Sequence, residues 1–263
     1  MSFRSLGPSR TVIVVVAAAL FSVAASAQPF ASPETNTRRP VLVELFTSEG
    51  CSDCPPADAL LAQLDATQFV PGAQAIVLSE HVTYWNHEGW SDPFSFEAMT
   101  DRQQNYVAHF GIDSSYTPQI VVDGAEQFVG GDVARLSSAV AKAAATPKQE
   151  ISIEKAEWID GSAHFSVRGP AGSNTALVAV LAENATRSVV RRGENAGRTL
   201  QHVAVVRVIK DFGSKGIDGR QLDLPGPRPL TAGQSEGPLR LVVFLIDRKT
   251  GHVVAAAEQD LRR

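Results

Sequence analysis

Val41-Leu42-Val43-Glu44-Leu45-Phe46-Thr47-Ser48-Glu49-Gly50-Cys51-Ser52-Asp53-Cys54-Pro55-Pro56-Ala57-Asp58-Ala59-Leu60-Leu61 is the stretch that decides how this chain is read. The apolar run Val41 to Phe46 predicts a buried strand. Leu60, Leu61 and Leu64 recur at helical spacing and predict an amphipathic helix from Cys54 to about Ala66. Pro55 and Pro56 suit the first turn of that helix, where no N–H donor is missed. Between strand and helix lie the only two cysteines of the 263-residue chain. The unpaired N–H groups and the dipole at a helix start favour an anion, so a thiol delivered there is placed for thiol–disulfide chemistry.

Downstream, Ala75 to His81 predicts a second strand, followed by an aromatic-rich loop from Tyr84 to Phe94 and a helix over 96–110. Tyr116-Thr117-Pro118-Gln119 leads into a strand at Ile120 to Val122. Asp123-Gly124 is a hairpin signal with a return strand through Phe128-Val129, and Val133 to Ala145 reads as a last helix closed by Pro147. Beyond Pro147 the apolar runs 151–158, 163–167, 176–182, 203–209, 239–246 and 253–257 are β-rich and separated by turn residues, with 215–238 read as a long loop. The expected architecture is an α/β domain over 41–147 followed by a mainly antiparallel, sandwich-like β domain over 148–263.

Upstream, Arg4 and Arg10 precede the apolar run Val12 to Ala25, and Ala25-Ser26-Ala27 is a small-residue cleavage site. Residues 1–27 therefore read as a signal peptide and 28–40 as a flexible linker. A cleaved signal implies a periplasmic or secreted protein with no stable membrane span. Disulfides persist in such a compartment, and a bridge closing so small a ring removes little unfolded-state entropy, so reactivity explains the pair better than stapling. Charge is uneven. Residues 28–147 carry 15 acidic and 5 basic side chains, whereas 148–263 carry 13 acidic and 17 basic. An acidic thiol-bearing half argues against nucleic acid as a partner.

Strand, Cys-x-x-Cys, helix and a later Thr-Pro before a strand and hairpin resemble the layout of the thioredoxin-like superfamily over 41–146. More closely, Glu44 to Asp58, His81-Val82-Thr83-Tyr84-Trp85, Gly89-Trp90, Tyr116-Thr117-Pro118-Gln119 and Gly193-Glu194-Asn195 followed by His202 resemble the DUF1223 family of bacterial secreted proteins. The resemblance implies a thioredoxin-like α/β domain and export, and no assigned function. It implies a cis bond before Pro118 that faces the cysteine loop, with Thr117 free to bond an extended peptide. It also implies a buried acid at Glu44 that relays the proton of the second cysteine.

Cys51 is the candidate nucleophile and Cys54 the resolving thiol. Asp53 and Glu49 are negative and would raise a thiol pKa, against the helix dipole that lowers it. No cofactor beyond the redox-active disulfide is expected. The expected partners are protein or small thiol substrates and a second protein that recharges the pair. Two rival readings use the same residues. One is a copper or zinc module in which His81 joins Cys51 and Cys54; the other is a non-catalytic interaction protein on a thioredoxin-like fold. His202 is too remote in sequence to place.

Overall fold

The computed structural model describes residues 1–3, 38–170, 174–214, 216, 218–230 and 237–262, and residues 36–263 form one compact unit. The expected signal segment lies almost wholly outside the described residues, as does the expected linker up to residue 37. Residues 39 and 40 of that linker are already strand. No helix among the described residues is long and apolar enough to cross a membrane.

Strand β1 (Arg39–Thr47) leads through the cysteine turn into helix α1 (Pro55–Thr67), then β2 (Ala73–His81), a single 3-10 turn at Tyr84–His87 and helix α2 (Glu97–Phe110). Next come β3 (Gln119–Val122), β4 (Glu126–Val129) and helix α3 (Val133–Ala145). The remaining strands are β5 (Ser152–Ile159), β6 (Ser162–Arg168), β7 (Thr175–Val189), β8 (Thr199–Gly213), β9 (Arg220–Pro225), β10 (Leu239–Asp247) and β11 (Val253–Leu261). Asp123 and Gly124 are the central residues of the β3–β4 turn closed by Ala125 N–H to Val122 O at 2.9 Å, and both take the left-handed conformations it requires, with φ of 49° and 62°.

The expectation of an α/β thioredoxin-like fold with a separate sandwich-like β domain is overturned. The described residues are mostly β, with three α-helices among them and one mixed sheet of eight strands in the order β11-β10-β7-β8-β2-β1-β3-β4. Strands from both sides of Pro147 belong to that sheet, joined where β2 and β8 run parallel at Ser79 and Val205. A second sheet holds β5, β6 and β9, and β9 falls inside the stretch expected to be loop.

The packing explains the difference. Val178, Val180 and Ala182 of β7 enter one core with Val43, Leu61 and Val206, while the alternating Leu177, Ala179 and Leu181 enter another with Phe165 and Leu222 of the small sheet. Side chains alternate across a strand, so β7 is buried on both faces. A run that is apolar on both faces belongs to a covered central strand, whereas a half-solvated sandwich strand alternates.

Candidate functional site

The cysteine turn is fixed by its own backbone. Cys51 N–H donates to Ser48 O at 3.2 Å, Cys54 N–H to Cys51 O at 3.3 Å, and Asp58 N–H to Cys54 O at 3.1 Å. Cys54 is the N-cap of α1 with helical dihedrals, and Pro55 and Pro56 fill the first turn. Cys51 and Cys54 form a disulfide. The Thr117–Pro118 peptide bond is cis, and the Thr117 carbonyl oxygen lies 4.0 Å from Cys51 Sγ. Thr117 Oγ1 accepts the indole N–H of Trp85 at 2.8 Å. Gly130 lets Pro118 sit against α1, since a Cβ there would lie 2.8 Å from Ala57 Cβ and 3.1 Å from Pro118 Cβ.

Four of the expected site residues, Cys51, Cys54, Thr117 and Pro118, therefore meet. Glu44 does not join them as a free acid. Its Oε2 accepts the Tyr106 hydroxyl at 2.6 Å and its Oε1 accepts Arg102 Nε at 2.6 Å, with both oxygens buried. Glu80, 3.5 Å from Arg102, completes that cluster, and its own carboxyl is pushed well above the usual range by burial and by the nearby Glu44. Strand alternation turns Glu44 toward α2, where a guanidinium and a phenol hold its carboxylate by charge-assisted hydrogen bonds.

The tip of the β7–β8 hairpin closes over the turn. Asn195 Nδ2 donates to the carbonyls of Glu49 and Cys51, each at 2.9 Å, and Ser52 N–H donates to Glu194 Oε2 at 3.0 Å. The Ser52 side chain, together with that backbone bond, holds the exposed Glu194 carboxyl below its ordinary value. Gly193, at φ +75°, packs beside Trp90, whose indole N–H donates to Glu49 Oε2 at 2.8 Å. Cys51 and Cys54 are 1% and 0% exposed, while Ser52 and Asp53 between them face solvent.

Behind the turn lies a buried ionisable cluster. Glu49 Oε2 also accepts Ser188 Oγ at 3.0 Å, and Asp58 Oδ1 accepts Thr47 Oγ1 at 2.9 Å. His202 from β8 sits between them as a 3.4 Å ion pair to Glu49 and a 3.7 Å ion pair to Asp58. Burial opposes its charge, but Asp58 and Glu49 outweigh burial and push the imidazole up to about 10. His81 stacks edge-on against His202 at 4.6 Å, bonds Asp92 at 2.7 Å and lies 3.3 Å from Ser79 Oγ. Burial resists the Asp92 charge too. The pairing with His81 and the N–H groups of Glu49 and Phe94 nonetheless hold its carboxyl below the usual range. Both His81 nitrogens are thus engaged away from the sulfurs. Among the described residues no three His, Cys, Asp or Glu side chains converge as a metal site.

Sequence spacing gave no route to this cluster, because His202 reaches it through the β2–β8 pairing. The sequence signal for it was the family resemblance, whose quoted segments include Glu49, Asp58, His81 and His202 without saying that they meet.

A crystal structure of a protein from Agrobacterium tumefaciens is similar in fold, with a TM-score of 0.59 and 21% identity over 83% of this chain and 92% of that one. A β-glucuronidase of Bacteroides uniformis shares 13% identity over 43% of this chain and 12% of its own, at a TM-score of 0.17, and carries no argument. No curated protein matches. The family model described as a protein of unknown function, DUF1223, matches residues 42–245, and it covers the cysteine turn, Thr117-Pro118, Gly193-Glu194-Asn195 and His202, so this chain belongs to the DUF1223 family.

Proposed function

We propose that this is an exported thiol–disulfide oxidoreductase whose working group is the Cys51–Cys54 pair. The observation that carries the reading is the disulfide at the start of α1, with Cys51 Sγ against the Thr117 carbonyl at 4.0 Å. Helix N–H groups and dipole stabilise a thiolate released there. In the oxidising direction a substrate thiolate attacks Cys51 Sγ. The S–S bond breaks, Cys54 leaves as a thiolate and takes a proton, and a mixed disulfide joins Cys51 to the substrate. A second substrate thiolate then attacks the substrate sulfur and expels Cys51, so the substrate loses two electrons and the pair gains them. A partner dithiol or disulfide resets the pair.

The site also sets the terms of access. With both sulfurs buried, a substrate reaches Cys51 only when part of the site moves, and the hairpin tip bonded to the turn at Glu49, Cys51 and Ser52 is the element whose release we propose, which favours a small thiol or a protein that engages the tip.

The test is equilibration of the purified protein with glutathione buffers of graded potential, read by mass spectrometry, alongside Cys54→Ser. A reversible two-electron transition in the native protein and a mixed disulfide trapped on Cys51 in the variant are expected. A pair that stays oxidised in every buffer while the fold is intact, with no trapped adduct, would overturn the reading.

A further inference from the structure

The buried cluster behind the turn supports a second step, which rests on the redox reading above. His202 is 2% exposed and has a carboxylate at each ring nitrogen, Glu49 Oε1 at Nε2 and Asp58 Oδ2 at Nδ1. Those two acids bracket the disulfide in sequence. Glu49 precedes Cys51 by two residues. Asp58 follows Cys54 by four, and Cys54 has helical dihedrals, so both stand on one face of α1 one turn apart. The other groups facing the imidazole are the His81 ring with its partner Asp92, and Phe94 with ring centroids 5.9 Å away. Beyond Phe94, the Arg207 guanidinium lies 5.9 Å from that ring and pairs with Glu183 at 2.9 Å.

Such an arrangement has a defined electrostatic consequence. Two buried carboxylates beside a dithiol disfavour its ionisation, because like charges oppose the thiolate. A cation between them cancels that field, and low local polarity magnifies the effect of its removal. We propose that His202 is a positioning charge of the redox site, an imidazolium fixed between Glu49 and Asp58 that relieves the cysteines of both carboxylate fields and thereby sets how readily the pair ionises and its disulfide is reduced. The raised His202 value, about 10, keeps that charge in place across neutral pH. The thiol chemistry of α1 thus depends on a residue delivered by the far half of the sheet.

The sign follows from the charges. Removing the cation destabilises thiolate, which favours the disulfide and makes the pair more reducing. Removing one carboxylate does the reverse.

The experiment titrates the Cβ resonances of Cys51 and Cys54 by NMR in the chemically reduced full-length protein, which needs no access to the sulfurs, and measures the reduction potential. His202→Gln is expected to raise the ionisation midpoint of the more acidic thiol by about one pH unit, roughly tenfold less thiolate near neutrality. About tenfold in the exchange equilibrium corresponds to ~30 mV toward reducing values. Glu49→Gln is expected to lower the midpoint, and the double variant Glu49→Gln/His202→Gln to lie between the two singles. Midpoints and potential unchanged in folded His202→Gln would overturn the proposal. Should that variant not fold, a Glu49→Gln protein whose midpoint fails to fall overturns it instead. A wild type that never exchanges with glutathione refutes the redox reading alone, because the titration still measures what His202 does to the sulfurs.

Discussion

His202 illustrates at the residue scale how one buried side chain ties stability to pH. In the unfolded chain an imidazole titrates near 6.5, and in the folded protein Asp58 and Glu49 hold it at about 10. A group raised on folding stabilises fully below its unfolded value, and the stabilisation is lost as pH climbs through the folded one. Urea midpoints of the wild type are therefore expected to fall between pH ~6.5 and ~10. His202→Gln, which has nothing to titrate there, is expected to lose that segment of the slope. Equal slopes in the two proteins would show that the ion pairs carry no such linkage. Part of this chemistry was legible in sequence: the two cysteines, their helix start, Thr117 and Pro118 all sit where local pattern puts them. Glu44 was legible through the resemblance as a buried acid, and it is buried. Its engagement by Arg102 and Tyr106 depends on how α2 crosses the sheet, which no local pattern encodes.

The β7–β8 hairpin is the element whose role reaches furthest from its sequence. Its strands were partly visible as apolar runs at 176–182 and 203–209, yet they extend over Thr175–Val189 and Thr199–Gly213, and toward the tip the polar Ser188 and His202 are buried against Glu49 and Asp58 beside the cysteine turn. Strand β9 was missed because Leu222 and Leu224 alternate over only six residues between glycine- and proline-rich flanks, too short a pattern to outweigh the loop signal. The tip carries its own prediction. Asn195 supplies two hydrogen bonds to the turn, and each intramolecular bond contributes about 1 kcal/mol net. Asn195→Ala should ease opening of the tip by about that much or twice it. Reduction of the native disulfide by a soluble phosphine is then expected to accelerate about five- to thirtyfold. Stopped alkylation and mass measurement over time would read the rate. An unchanged rate would mean that reductants reach Cys51 without displacing the hairpin.

For the whole molecule, the expected boundary at Pro147 meets a sheet that does not stop there. Composition and turn signals do change at that residue, which is why the halves read as separate domains. Strand order, however, is set by which apolar faces remain uncovered after local pairing. β2 lies interior to the sheet, with β1 on one side and β8 on the other, and the core beside it includes Val178, Val180, Val206 and Phe244 from the later half. Stopping the chain after Pro147 would expose the open edge of β2 and strip that core of its outer wall. Unpaired edges and exposed apolar faces of this kind lead to association in place of folding. A fragment spanning residues 38–147 is therefore expected to lack a cooperative urea transition and to self-associate, even though it retains both cysteines and Thr117-Pro118. Sedimentation and near-ultraviolet circular dichroism would check this directly. A monomeric fragment with a sharp transition would show that the first half closes its own core and that the shared sheet is a docking contact between independently stable parts.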